Sequence, residues 1–491
     1  MSKRVLVIQA GFGKADISHS WKTVRKTADE LSVRVFATFT NDEKLAVIAV
    51  FDLGLLWTSV CTKLRQKISS IYKIPVSNIS VFATQNHSID SKPGPYSEIN
   101  GLLQPLTKAV GEAINNIQPV EMAIVSAKSK VPLNYCRRKR FGKLGAFTFW
   151  YGVRDLGKGK ADAAHLMKMA IRNLADGVPL QYRGMKITSK KDFIVKDCPV
   201  DVPQPLLLDK ASDQLIQGLF FRNAEGKPVG SIIRFAAHPV TANPSGCDYN
   251  SGDYPLYVCR KVEKSFGGRA LFLPGPCGDI LPLVESKSLA LAEKVGDNIA
   301  KVALNALKKG KWECSGVAAV AVQQVKFNIR SDIPKNMKEA KRELALLKSR
   351  IEKAAADKRP LAEIKKMTER YEIVNYMVTG LLQIWTGHNL FKLSGKEIEG
   401  QIFALRLGRA VIAGLPGEPF GAYSVRLRKE TIGDQLLTAE QCNGYIGYLP
   451  TAEEFKFGGY GPAASLCDHR CEKQLVQFTK HAINRVSSKL A

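Results

Sequence analysis

His87 and His238 are the residues best placed to do chemistry. Each closes an apolar run and opens a loop rich in Gly, Pro or Ser: VFATQNHSIDSKPGPY over residues 81–96 and SIIRFAAHPVTANPSG over residues 231–246. In α/β proteins, strand ends that open into loops are where ligands and catalysts sit. Other loops share this character. Asn250-Ser251-Gly252-Asp253 sets a hydroxyl and a carboxylate two apart beside a glycine, and Pro276-Cys277-Gly278-Asp279 follows another apolar run. Leu415-Pro416-Gly417-Glu418 ends a further run on a carboxylate, while the turn from Asn443 to Tyr448 offers phenols. Two histidines, a glutamate and a tyrosine make a donor set for zinc with one position left for water, the arrangement of hydrolytic metal enzymes. No compact H-E-x-x-H motif singles this set out, so spacing alone leaves ordinary core or surface histidines as the competing reading. His19, His165, His388 and His481 have no acid or metal partner nearby in the sequence.

Such loops need strands behind them. Short β-rich runs at residues 33–40, 45–51, 79–84, 122–127, 230–237, 270–273, 316–327, 401–407 and 410–414 alternate with helical patterns such as 59–72 and 101–117. This is the mixture of a layered α/β domain. No repeat or linker divides the chain, so residues 1–491 are expected to form a single large mixed α/β catalytic domain. Residues 335–385 stand apart within it: Ala340, Leu344, Leu347 and Ile351 fall three or four apart, Pro360 sits where a first helical turn tolerates it, and Leu361, Ile364, Tyr371, Val374 and Val378 resume the period. A helical hairpin insertion with a basic outer face is expected, either as a lid or arm or packed over the domain edge.

At the N-terminus, the apolar residues 5–8 lead into Gly11-Phe12-Gly13 like a strand feeding a glycine turn. A dinucleotide turn needs a third small residue where Asp16 stands, and a carboxylate there repels a pyrophosphate, so a nucleotide cofactor is set aside.

The balance of 72 Lys+Arg against 45 Asp+Glu gives a net charge of +27, a field that attracts nucleic acid, an acidic membrane surface or an acidic substrate. The basic residues are spread widely and no stripe interleaved with aromatics occurs, so specific nucleic-acid recognition is not expected; a solvated surface is the competing account. Ten cysteines scattered over 491 residues fit a reducing compartment. Cys467-Asp-His469-Arg-Cys471 lacks a second pair to complete four zinc ligands and reads as a helix start with two ordinary thiols. Cys277 has no activating base in view and reads as an inert buried thiol. The first apolar run is too short for a signal peptide and no stretch approaches about 20 apolar residues, so a cytoplasmic location is expected. The sequence leaves the oligomeric state open.

Seven segments, in order, carry a resemblance: GFGKADIS (11–18), ATQNHS (83–88), FAAHP (235–239), NSGDYPLY (250–257), PCGDILP (276–282), LPGEPF (415–420) and NGYIGYLPTAEEFKFGGY (443–460). Together they resemble the catalytic domain of the neutral/alkaline (non-lysosomal) ceramidase family and its bacterial relatives, over nearly the whole chain. The family's enzymes are zinc amidases that cleave the N-acyl bond of ceramide, so the resemblance implies a small-molecule or lipid amide substrate. It implies that His238, Glu418 and Tyr448 match zinc ligands. His87 matches the second histidine of the family's T-H-T-H-S turn, Ser251 and Asp253 match its S-G-D loop, Arg137 corresponds to a substrate-pocket arginine, and Tyr460 matches a tyrosine that supports the oxyanion. Membrane ceramidases of the family often add a C-terminal immunoglobulin-like domain, which is not expected here.

One position departs from the pattern. The family's first histidine, itself a zinc ligand, is Gln85 in this chain. A neutral amide oxygen is a poorer zinc donor than imidazole, so the metal site is expected to be weaker, rebuilt around His87, or vacant. Two functions therefore compete: a metal-dependent amide hydrolase, and a non-catalytic relative that binds anionic ligands, lipid or a partner in the same cleft.

Overall fold

Alternating apolar residues build three mixed sheets, as the computed structural model shows; it describes residues 7–20, 25–90, 99–140, 145–148, 212–242, 249–284, 287–393 and 396–487. The first sheet has the strand order Ile79–Ala83, Leu45–Phe51, Ser32–Phe39, Gln9–Asp16, Gln118–Pro119. The second runs Arg269–Pro274, Pro228–Phe235, Leu215–Arg222, Glu121–Lys128, Trp312–Glu313, and the third Ala318–Asn328, Glu397–Leu407, Ala410–Gly414, Leu436–Ala439. Most neighbours are antiparallel, but each sheet ends in a parallel pair, which requires a crossover. The crossovers carry the helices Thr58–Tyr72, Asp253–Ser265 and Ala422–Glu430. The topology thus repeats three times although the sequence shows no repeat.

Period-two patterning assigns the two faces of each sheet. Phe36, Ile48, Phe82, Ile232, Leu271, Leu273, Phe403, Leu405, Ile412 and Leu437 point into one core shared by all three sheets. Each such side chain contributes about 1.5–3 kcal/mol when removed from water. The alternate residues face outward under helices: Val33, Val35, Val47 and Val81 meet Leu64, Leu106 and Ala109, while Ile233 and Phe272 meet Val258 and Ile299. The carboxyl ends of the three parallel pairs all carry residues of the candidate site.

The N-terminal segment corrects the reading of a glycine turn. Gly11 and Gly13 lie inside the strand Gln9–Asp16, paired with Ala37 and Val35. They are glycine because the helix Asn100–Asn115 crosses directly over them: a Cβ on Gly11 would sit 2.1 Å from the Ala113 carbonyl oxygen, and one on Gly13 would sit 2.0 Å from that of Ala109. Close backbone approach, rather than a turn, uses the absence of a side chain here.

The helical hairpin is present as Met337–Ala356 and Leu361–Val378, followed by the short helix Leu381–Thr386. Asn336 caps its first helix by accepting from the Glu339 N–H at 2.9 Å. Ala340, Leu347, Ile373, Val374 and Met377 join the core beneath the third sheet, so the hairpin is packed into the molecule along this face. Cys471 begins the helix Cys471–Ser487, and both it and Cys467 are buried thiols. Among the described residues no helix is long and apolar enough to cross a membrane. His165 and the cysteines at 198 and 247 lie outside the described residues.

Candidate active site

His238 follows the strand Pro228–Phe235 and is anchored twice to Ile280: its backbone N–H and its ring Nδ1 both lie 3.1 Å from that carbonyl oxygen. With the Nδ1 proton committed to the carbonyl, Nε2 carries the free lone pair. It points at Glu418 Oε2, 3.3 Å away. Burial, followed by Arg137, pushes the imidazole below its ordinary value, and the ring is then neutral. Burial alone would raise Glu418, but a proton shared with His238 and the hydroxyl of Tyr445, 2.7 Å from Oε1, hold it below the usual carboxylate range. Two acceptors therefore face each other across 3.3 Å, and neither has another hydrogen-bond partner. Only a shared cation, a proton or a metal ion, relieves that contact.

The surrounding groups come from separate elements. Glu418 and Tyr448 are paired residues of the short parallel strands Glu418–Pro419 and Tyr448–Leu449. Arg137 follows the strand Asn134–Cys136, and its Nη2 reaches the Gly278 carbonyl at 2.7 Å and the Tyr448 hydroxyl at 3.2 Å. The guanidinium lies 5.8 Å above the Tyr448 ring and 5.9 Å above that of Tyr460. Burial opposes its charge, but Tyr448, Glu418 and Tyr460 outweigh that and raise its pKa. Tyr448 is pushed well above a normal phenol by burial and by Glu418, so it is a neutral hydroxyl here. Tyr460 stacks edge-on against Tyr448 with ring centroids 5.6 Å apart. His87 lies against His238, with centroids 5.6 Å apart and planes 26° from parallel. Desolvation, then His238, push its pKa down, while one side of the residue is open to solvent.

Six of the residues singled out in the sequence, His87, Arg137, His238, Glu418, Tyr448 and Tyr460, are thus in contact with one another. Ser251 and Asp253 serve a neighbouring network. Asp253 is fully buried, at φ 52°, and accepts from the Ser88 hydroxyl at 2.5 Å and from the Thr241 and Ala242 N–H groups at 2.7 Å each. Those residues flank His87 and His238, so one carboxylate braces both histidine loops. Ser251 donates to Asp29 at 2.6 Å.

Gln85 turns at φ 64°, and its amide oxygen accepts from the Cys277 thiol at 3.0 Å, while Nε2 is buried without a partner. Cys277 also holds Glu440, through its N–H at 2.8 Å and its sulfur at 3.0 Å. Burial and Glu440 push the thiol well above its ordinary value, and burial with Glu418 does the same to the Glu440 carboxyl. Sequence reasoning passed over Glu440 and the role of Tyr445. Position was the available signal: Glu440 directly follows the strand Leu436–Ala439, and Glu418 lies four residues past Ala410–Gly414.

Across nearly its full length the chain superposes on solved structures. A crystal structure of neutral ceramidase from Pseudomonas aeruginosa matches 98% of this chain and 75% of that one, with a TM-score of 0.62 at 16% identity. A structure described as ceramidase complexed with C2 matches 99% and 76%, with a TM-score of 0.63 at 14% identity. The fold is that of neutral ceramidase. No family model matches the sequence, and no curated protein does either. On this ceramidase fold, the donors suited to a metal ion are His238 Nε2 and Glu418 Oε2, whose mutual contact fits a shared cation. The Tyr448 hydroxyl stands beside them, whereas the Gln85 oxygen, spent on Cys277, does not fit in the orientation seen. Among the described residues no three His, Cys, Asp or Glu side chains are close enough to enclose an ion by themselves.

Proposed function

We propose that this chain is a hydrolase of linear amides that cleaves the N-acyl bond of a lipid-like substrate, with zinc held by His238 and Glu418 and completed by Tyr448 and substrate or water. The pair of facing acceptors, 3.3 Å apart where the ends of the parallel strand pairs meet, carries this reading. Its support is the ceramidase-like fold and the sequence resemblance at the same loops. When bound, zinc would lower the pKa of a water and polarise the scissile carbonyl.

The chain's own residues supply the remainder. Arg137 is fixed by Gly278 and Tyr448, so its charge is directed before substrate arrives and can stabilise an oxyanion without reorganising. Tyr460, packed against both Arg137 and Tyr448, offers a hydroxyl to the same oxygen. His87, neutral and open to solvent on one side, can take a proton and return it to the leaving amine. Ser251 and Asp253 act as positioning residues for the two histidine loops.

Purified protein given zinc is expected to release fatty acid from ceramide or from simpler N-acyl amines. Glu418→Ala should abolish turnover, and Arg137→Leu should lower kcat about 10²–10³-fold. Unchanged activity in Glu418→Ala would refute the site. One observation favours a second reading, a non-catalytic ligand-binding cleft: the Gln85 oxygen is bonded to Cys277 instead of aimed at the His238–Glu418 pair. Tight binding of N-acyl lipids with no turnover at any zinc concentration would select it.

A further inference from the structure

The hairpin touches the candidate site through Tyr376, which is held by a carboxylate. Glu372, on the helix Leu361–Val378, accepts from the Tyr376 hydroxyl at 2.9 Å. Tyr376 in turn lies edge-on against Tyr460, ring centroids 6.4 Å apart, close enough for the two phenols to interact. Tyr460 touches Tyr448 and lies under Arg137. A row of adjoining carboxyl and phenol groups thus runs from the inserted helix to Tyr460 at the candidate site.

We propose that Glu372 is a positioning residue that sets, through Tyr376, the direction in which the Tyr460 hydroxyl donates. The proposal rests on the hydrolase reading, because that reading assigns the Tyr460 hydroxyl to the oxyanion. A hydroxyl has one proton, so the polarity of a hydrogen-bonded chain along this row is set by its end. With Glu372 ionised, it must accept from Tyr376; the Tyr376 oxygen then accepts from Tyr460, whose proton is turned away from the cleft. With Glu372 protonated, the carboxyl can donate to Tyr376, Tyr376 donates to Tyr460, and the Tyr460 proton is released towards the substrate oxygen. No atom moves by more than a hydroxyl rotation.

The surroundings put this switch in an accessible range. Burial first, and Glu369 one turn away, raise the Glu372 carboxyl to about 7, against the pull of its bond to Tyr376. The groups facing it are Tyr376 and Glu369 on its own helix and Tyr460 on the helix Tyr460–Ala464. Glu369 is itself engaged by Lys365 and by the Gly459 N–H at 2.7 Å. Glu372 is only half-buried, so it can exchange its proton with solvent.

The test joins NMR of ¹³Cζ-tyrosine-labelled protein with pH–rate profiles of the same samples. The Tyr460 signal, assigned by its loss in Tyr460→Phe, should move with a midpoint near 7 in the native protein. It should stay fixed in Glu372→Gln and in Tyr376→Phe. The rate of native protein relative to Glu372→Gln should fall about tenfold from pH 6 to pH 8, as the protonated fraction of one such group does. Glu372→Gln should keep the native rate at pH 6, because its amide can donate to Tyr376 as the protonated acid does. A Tyr460 signal that is static in the native protein, or that titrates equally in Glu372→Gln, overturns the proposal. Absence of amide hydrolysis at every pH would instead overturn the hydrolase reading, and the NMR titration would still decide the hydrogen-bonded chain.

Discussion

On the proposed hydrolase reading, the identity of residue 85 decides how firmly the cation would be held. His238 offers a lone pair on Nε2 because Ile280 takes its other ring proton, and Glu418 offers Oε2 because Tyr445 takes only Oε1. Gln85, which by resemblance stands where a third ligand belongs, spends its oxygen on Cys277 and leaves only a donor nitrogen buried nearby. A histidine there is chemically easier than most replacements, since the left-handed φ of 64° is one that imidazole side chains tolerate better than β-branched ones. Gln85→His should therefore tighten zinc binding by at least tenfold, read by calorimetry or competition with a chelator. Unchanged affinity would show that the His238–Glu418 pair does not share its ion with position 85. His87, His238 and Glu418 were legible in the sequence because each stands within a few residues of an apolar run that ends in Gly, Pro or Ser. Tyr445, Cys277 and Glu440 were not, because their meaning lies in contacts with partners 27 to 192 positions away.

The elements were legible to the extent that periodicity reports burial. The strand Leu45–Phe51 is a continuous apolar run because both its faces meet a core, and the hairpin helices keep their period because one face of each does. Gly11 and Gly13 misled, since a glycine needed for a turn and a glycine needed for close helix contact look alike in sequence, and only the crossing of Asn100–Asn115 tells them apart. The hairpin's reach into the site was also hidden, because Glu372 and Tyr376 take their meaning from Tyr460, more than 80 positions further along the chain. Their burial has a thermodynamic consequence that needs no substrate. A carboxyl raised from 4.5 to about 7 on folding binds its proton more tightly in the native state. Its contribution to stability is complete below pH 4.5 and is lost as pH rises through 7. Glu372→Gln, which cannot ionise, should match the native melting temperature near pH 4.5 and exceed it at pH 8. The gain should be at most about 3 kcal/mol at one pKa unit per 1.36 kcal/mol. Equal melting temperatures at pH 8 would mean that Glu372 is better solvated than its place in the fold indicates.

At the scale of the whole molecule, the +27 charge and the hairpin bear on how a lipid amide could be met. The outward face of Met337–Ala356 exposes Lys338, Lys341, Arg342, Lys348, Arg350 and Lys353. Among them sit Leu346, 48% exposed, and Met337, 37% exposed, both unusual for a helix that also buries Ala340, Leu347 and Ile351. Basic residues around exposed apolar ones form the pattern by which a helix rests on an anionic bilayer, each cation near the surface contributing about 1 kcal/mol. The second helix of the same hairpin contacts Tyr460 through Tyr376, so a membrane seated on this face would lie on an element that touches the candidate site. We accordingly expect the protein to co-sediment with phosphatidylserine-containing vesicles in about 50 mM salt and to leave them in about 500 mM, where charges are screened within a few ångströms. Vesicles of neutral lipid should bind it weakly. Leu346→Asp should weaken binding without changing the hydrolysis of a soluble short-chain amide, because the side chain lies on the outer face and makes no contact with the site. Binding to anionic vesicles that survives both high salt and Leu346→Asp would place the contact on another face of the molecule. Loss with salt alone would assign it to the diffuse charge and leave the hairpin uninvolved.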